Sequence, residues 1–397
     1  MTSSGLPSYS LSDIDLPNPA LLPAGLRDLL PPEAETEARA VEAAMEAFAA
    51  HGYQRVKPPL LEFEDSLLAG SGAAVADQTF RLMDPDTHRP MGVRADMTPQ
   101  VARIATTRLA HAPRPLRLSY AGQCLRVRGN QIAPDRQVAQ AGIEMIGADS
   151  PAADAEMVLV GAEALAALGL TRLSVDLTLP PLVPTLLEEA GLPLEARGPL
   201  ARALDRKDAA AVARHAATLG AGLAGILSAL LLSAGAADGA LAALAAADLT
   251  PGARALAVRL AETVAAIRAR LPGLKLTIDP VEFRGLRYHT GVCFTVYAPG
   301  RHEELGRGGR YLCGDSEPAT GLTLYPDAVL RAAPPRPSRA RVFLPAGTDA
   351  SAGAALRAQG YATVAGLDPE ATPHNEARRL LCSHICTDGA LAAVVPD

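Results

Sequence analysis

The sequence has no tryptophan, and aromatic residues make up only 4% of it. Little is left from which to build the stacking platforms that hold single-stranded nucleic acid. The core must come from alanine, leucine and valine instead. Lysine is almost missing: Lys57, Lys207 and Lys275 are the full set. With a formal net charge of −6, a general attraction to nucleic acid or to an acidic membrane surface is not expected, although a local arginine patch is compatible with that balance. Cysteine is also scarce. Cys124, Cys293, Cys313, Cys382 and Cys386 are odd in number and scattered, which reads as free thiols in a reducing compartment. The longest apolar run, Ala221 to Leu232, is broken by Gly225 and Ser228 and is too short to span a bilayer. The first fifteen residues carry acids where a signal peptide has bases, and they lack an apolar segment. The expectation is a soluble cytoplasmic protein.

What is present is a chain of 397 residues, 49% apolar and 20% charged. That suits two or three domains and a sizeable core. Residues 1–20 read as a loose arm. Pro31-Pro32 then predicts a helix to about Ala50, with Val41, Ala44, Met45 and Phe48 as its apolar stripe. Phe80 to Met83 and Met91 to Arg94 predict a hairpin across Asp84-Pro85-Asp86. Thr98 reads as the N-cap of a helix with Pro99 in its first turn. Leu116–Leu125 and Arg136–Ile146 read as two long strands, followed by a helix capped by Ser150-Pro151 and a strand at Leu173–Leu177. From about 184 to 270 alanine and leucine dominate at helical period, which predicts a helical insertion. Strands return at Leu276–Ile278, Gly291–Tyr297 and Thr320–Leu324. A proline-rich linker at 334–339 separates this body, 21–333, from a small α/β unit at 340–397. The class is α+β, with a mainly antiparallel sheet covered on one face by helices.

Several segments could carry chemistry. Strand period two puts Gln140, Gly142 and Glu144 on one face. A carboxylate and an amide oxygen around a side-chain-free gap suit an ammonium group. The same pattern also fits the solvent face of an antiparallel sheet, which the spacing alone favours. Arg126 at a strand end could recognise a carboxylate or phosphate, or be a surface arginine. Asp96 and Thr98 could cap the helix or turn oxygens to a ligand. Tyr288 and His289, in the loop that holds Arg284, could hold a flat polar ligand or be structural. Gly306 to Tyr311 lacks the lysine and the spacing of a phosphate loop and reads as a tight turn. Cys382 and Cys386, read as one helical turn apart, do not have zinc-site spacing, so no metal is expected.

In order along the chain, Leu22 to Asp28, Gly52-Tyr53 to Pro58-Pro59, Arg94 to Thr98, the strand pair at Arg126, the Arg284 loop and Gly308 to Tyr311 resemble the catalytic core of class II histidyl-tRNA synthetases over about residues 20–330. The resemblance implies a histidine pocket at Asp96, Thr98, Arg126, Gln140, Glu144, Arg284, Tyr288 and His289. The departures are as telling. Asp96 and His289 stand where the synthetases carry Glu and Tyr. Arg128 replaces an ATP-facing glutamate, and Ala328 stands where an arginine clamps ATP. Tyr325-Pro326 would fill the flat nucleotide seat. Adenylation needs cations around the pyrophosphate, so its loss is expected. A synthetase-like core of this kind, with a short tail and the run Arg94 to Arg103, resembles the regulatory subunits of ATP phosphoribosyltransferase. That resemblance implies no catalytic residue and no cofactor of the chain's own. It implies a homodimer within a hetero-oligomer, a short-form catalytic subunit as partner, and histidine as allosteric ligand, in the first step of histidine biosynthesis. It implies no tRNA. The alternative is a histidyl-tRNA synthetase, or a paralogue that adenylates an amino acid.

Overall fold

The protein is described by a computed structural model over residues 21–129, 134–282, 288–314, 316–335, 337–387 and 389–394, apart from the side chains of 216–218 and 221. The N-terminal arm and Arg284 lie outside the described residues.

Helix α1 (Glu33–Ala50) starts just past the proline pair. Glu33 and Glu35 occupy its first turn, where the helix dipole favours acids. Ala40, Ala44, Met45 and Phe48 are buried along one stripe, and Phe48 alone contributes about 2–3 kcal/mol by leaving water. Strands β1 (Gln54–Arg55) and β2 (Leu61–Phe63) and helix α2 (Glu64–Leu67) follow. The hairpin β3 (Phe80–Met83) and β4 (Pro90–Val93) forms as expected and joins β2 in a three-stranded sheet. Helix α3 (Thr98–Thr106) begins one residue earlier than the sequence suggests. Its N-cap residue is Met97, and just before it Asp96 Oδ1 accepts from the Thr98 N–H at 2.8 Å. The Thr98 hydroxyl is thereby released for another partner.

β5 (Leu116–Leu125) and β6 (Gln137–Ile146) pair over their full length, Leu116 facing Ile146 and Leu125 facing Gln137. Helix α4 (Pro151–Ala167) is capped by the Ser150 hydroxyl, which accepts from the Ala153 N–H. After β7 (Ser174–Thr178), the alanine-rich stretch forms α5 (Leu182–Glu189), α6 (Leu194–Asp205), α7 (Ala209–Leu219), α8 (Ala221–Leu232), α9 (Ala237–Ala246) and α10 (Pro251–Arg270). A two-residue strand, β8 (Gly235–Ala236), interrupts these helices and pairs with β9 (Lys275–Asp279). Strands β10 (His289–Tyr297), β11 (Glu304–Cys313) and β12 (Glu317–Leu324) and helix α11 (Pro326–Ala332) complete the first unit.

The stretch Gly306 to Tyr311 is not a turn. It lies inside β11, paired on both sides, with Gly308 facing Phe294 of β10 and Leu322 of β12. Clustered glycines usually punctuate a chain. Here they permit close packing, because a Cβ on Gly308 would collide with the Gly321 carbonyl and the Phe294 ring.

The main sheet runs β1-β5-β6-β12-β11-β10-β7-β9-β8. It is antiparallel except for the pairs β1–β5 and β7–β9. One face carries the larger core, where Ile143 and Leu322 meet Phe48 of α1, Met157 and Leu165 of α4, and Leu260 of α10. On the opposite face α3 covers one end, packing Met97 and Val101 against Leu118, Tyr120 and Tyr311.

A buried ion pair ties α4 to β11. Arg310 Nη2 lies 2.7 Å from Asp154 Oδ1, and Arg310 Nη1 donates to the Ala148 carbonyl at 2.8 Å. Both side chains are buried.

The chain divides at Pro334 into two compact units. The second contains β13 (Arg341–Leu344), α12 (Ala350–Ala358), β14 (Ala362–Ala365), α13 (Pro373–Arg379), β15 (His384–Thr387) and β16 (Ala390–Ala393), in sheet order β14-β13-β15-β16. Cys386 lies on β15, not in a helix with Cys382. Cys386 packs with Val342, Leu344 and Leu356, whereas Cys382 packs with Phe343, Ala377 and Ile385. The two thiols thus belong to separate apolar clusters. Among the described residues no group of three or more His, Cys, Asp or Glu side chains is placed to hold a metal, and no helix is long and apolar enough to cross a membrane.

Removing one partner of a buried ion pair strands the other charge. Asp154→Ala is therefore expected to cost about 3 kcal/mol, read as a lower urea midpoint with an unchanged slope.

Candidate functional site

The open part of the α3 face forms a cleft with room for water-sized spheres of about 40 Å³, within about 380 Å³ of atom-free space that includes open solvent. Its lining includes Asp96, Thr98, Glu144, Tyr288, His289, Arg307, Tyr311, Thr323 and Tyr325. The strand register explains why these side chains meet. Glu144 on β6 faces Gly321 on β12, and Gly321 faces Gly309 on β11. Side chains two residues away on each strand share the same face.

Glu144 is the deepest polar group of this face, at 1% exposure. Its Oε1 accepts from the Thr98 hydroxyl at 2.9 Å and from the Tyr120 hydroxyl at 3.2 Å. Its Oε2 accepts from the Tyr311 hydroxyl at 2.9 Å. Tyr120 also lies 2.8 Å from the Thr323 hydroxyl. The carboxyl fits because Gly321 has no Cβ; one there would collide with Glu144 Oε2. Burial pushes the Glu144 pKa up to about 8, with a further push from Asp96 and an opposing pull from the Thr98, Tyr311 and Tyr120 hydroxyls. Near neutral pH the group holds its proton, and a cation entering the cavity would favour its release.

The strand face is therefore not a solvent face. The gap over Gly142 is not a ligand seat either, because the Tyr120 ring fills it. Gln140 shares the face with Glu144 but does not line the cavity. Its Nε2 donates to Asp96 Oδ2 at 2.9 Å, while its Oε1 accepts from the Met97 N–H at 3.0 Å and the Cys124 thiol at 3.3 Å. It fixes Asp96, and Asp96 faces the cavity.

Tyr288 and His289 stack at 4.2 Å between ring centroids, and Tyr288 meets Tyr311 edge-on at 6.1 Å. Of the eight positions expected from sequence, Asp96, Thr98, Glu144, Tyr288 and His289 line one cavity. Gln140 stands behind Asp96. Arg126 lies beside the Asp96 turn, its Nε donating to the Ala95 carbonyl at 3.4 Å. Arg284 lies outside the described residues. Sequence reasoning missed Tyr120, Arg307, Tyr311 and Thr323 as parts of this face. Reading Gly306 to Tyr311 as a turn hid Arg307 and Tyr311; strand period two through that stretch would have paired them across Gly309. The two positions at which the resemblance implies a lost ATP contact are also placed. Ala328 is buried in the apolar core, and Arg128 is exposed.

The family described as histidyl-tRNA synthetase matches residues 25–329. Two solved structures share the fold. One is described as an ATP phosphoribosyltransferase regulatory subunit/histidyl-tRNA synthetase from Bacillus halodurans, with TM-score 0.78 and 22% identity over 90% of this chain and 96% of that one. The other is a histidyl-tRNA synthetase from Nostoc sp. PCC 7120, with TM-score 0.74 and 16% identity over 92% and 90%. The fold is that of the class II, histidyl-tRNA synthetase-like proteins. Among curated proteins, the ATP phosphoribosyltransferase regulatory subunit of Gluconobacter oxydans is 55% identical over 95% of this chain and 98% of its own length. That of Paramagnetospirillum magneticum is 56% identical over 92% and 96%. The chain belongs to the family of ATP phosphoribosyltransferase regulatory subunits, and the role that family carries is regulatory rather than catalytic.

The raised Glu144 pKa has a signed consequence for stability. The unfolded chain ionises this group near the ordinary value of 4.5, the folded chain only near 8. Its contribution is present in full below the unfolded value and is lost as pH rises to about 8. Urea unfolding at pH 6 and pH 8 is expected to show wild type losing stability relative to Glu144→Gln at the higher pH.

Proposed function

We propose that the chain supports phosphoribosyl-ATP formation by a short-form catalytic subunit and makes that activity sensitive to histidine. The observation that carries the histidine assignment is the buried Glu144 carboxyl beside Asp96 at the wall of one cavity. The two carboxyls supply acceptors for an ammonium and an imidazole N–H, and the stacked Tyr288–His289 pair offers a flat wall. Thr98 and Gln140 hold Glu144 and Asp96 in place, and Arg126 and Arg284 complete the set that the resemblance implies. Feedback follows by linkage: histidine binds one assembly state better than another and shifts the population toward it. A homodimer within a larger hetero-oligomer is the expected assembly.

Adenylation is lost on this reading. An arginine clamp cannot act from Ala328, which is packed in the core. Arg128, exposed on its loop, inverts the charge of an ATP-facing position. The test is phosphoribosyl-ATP formation by the short-form catalytic subunit of the same organism, with and without this chain. Activation that added histidine then suppresses is the expected result. No activation, with histidine-dependent ATP–pyrophosphate exchange instead, would replace this reading with the synthetase one.

Glu144→Ala is expected to weaken histidine binding by at least about tenfold, the scale of a lost charge-assisted hydrogen bond, while the far-ultraviolet circular dichroism stays unchanged. In wild type at pH 7.5, where free imidazole is neutral, binding should release protons. Calorimetry in buffers of different ionisation heat would detect that release, and Glu144→Gln should abolish it.

A further inference from the structure

We propose that Arg307 is the specificity-determining residue of the cavity: its guanidinium takes the free α-carboxylate of the bound amino acid and discriminates against ligands in which that group is reduced or amidated. The inference rests on the reading of this cavity as a histidine site and goes beyond it by naming the group that is recognised.

Three observations support it. The first is charge. The lining carries two carboxyls, Asp96 and Glu144, and among the described lining residues Arg307 is the one with a permanent positive charge. An acidic region and a basic one in the same cavity match a zwitterion. They do not match a simple cation.

The second is spacing. Arg307 and Tyr311 lie on the same face of β11, four residues apart, or about 13 Å along the strand. Tyr311 touches Glu144. Between them lies Gly309, which faces Gly321 on β12. Neither position contributes a side chain of its own; the Glu144 carboxyl lies over Gly321 and the Cys293 thiol against Gly309. A small molecule lying above them can present an N–H group to Glu144 at one end and an anionic group to Arg307 at the other.

The third is preorganisation. Glu304 grips one edge of the guanidinium, accepting from Nε at 3.0 Å and from Nη2 at 2.9 Å. This fixes the guanidinium plane. The pair leaves out Nη1, whose two N–H donors are not used by Glu304. The Arg307 side chain keeps 32% of its surface accessible, so it is fixed yet reachable. Burial works against its charge, while the neighbouring Tyr325 and Glu304 favour it.

A site built to bond a polar group rejects an analogue lacking that group far more strongly than it rejects a change of size. The probes are therefore histidine, histidinol (CH₂OH in place of the carboxylate) and histidinamide, titrated calorimetrically into the full chain. Wild type is expected to prefer histidine over both analogues by roughly 100-fold. Arg307→Gln should weaken histidine by roughly 30-fold or more and leave histidinol within about threefold, collapsing the preference. Arg307→Lys should restore part of it, since an ammonium keeps the charge but loses the planar fork.

If Arg307 only braces β11 through Glu304, Arg307→Gln will weaken histidine and histidinol in parallel, and the proposal falls. If wild type binds histidine and histidinol equally well, the proposal falls while the histidine reading stands. If wild type binds none of the three, both fall together.

Discussion

The burial of one carboxyl group, that of Glu144, is the constraint around which the site is arranged. A carboxyl at 1% exposure is costly unless its oxygens are bonded. Three hydroxyls from three separate elements satisfy it: Thr98 from α3, Tyr120 from β5 and Tyr311 from β11. Each of those elements must therefore arrive at a set distance from β6. The requirement reaches further. Gly321 must lack a side chain to leave room for the carboxyl, and Gly142 to leave room for the tyrosine that bonds it. One polar group thus fixes residue choice on four strands and one helix.

The two faces of β11 divide the labour between stability and recognition. Arg310 points to the helical layer and is locked to Asp154. Arg307 and Tyr311 line the cavity on the other side. The alternation of a strand lets adjacent arginines serve different ends with no conflict of charge. Both arginines pair with acids of the protein, Arg307 with Glu304 and Arg310 with Asp154.

Much of this was legible from sequence where local signals and tertiary demands agree. The stripe of α1, the β3–β4 hairpin and the β5–β6 pair follow from periodicity and turn chemistry, and strand period puts Glu144 on one face with Gln140, although the spacing alone favours a solvent face there. Two of the misreadings share one physical cause. Glycine was taken as a sign of a turn at Gly306 to Tyr311 and of an empty seat at Gly142. In both places it answers to a neighbour on another strand, which no local window contains. The pair Gln140 and Glu144 was correctly put on one face. That Gln140 faces Asp96, with Glu144 alone of the pair reaching the cavity, depends on where α3 begins: Thr98 lies inside the helix, and its N–H rather than its hydroxyl bonds Asp96.

The scarcity of aromatic residues has a spectroscopic side. The chain has eight tyrosines and no tryptophan, and four of the eight, Tyr120, Tyr288, Tyr311 and Tyr325, stand in or directly beneath the cavity. With no indole to drain their excitation, tyrosine emission from this protein originates to a large extent at the site itself. Two of those phenols touch a carboxyl that changes charge within the physiological range, and an adjacent ionised acceptor quenches phenol fluorescence. Tyrosine emission of the unlabelled chain therefore follows the charge of Glu144.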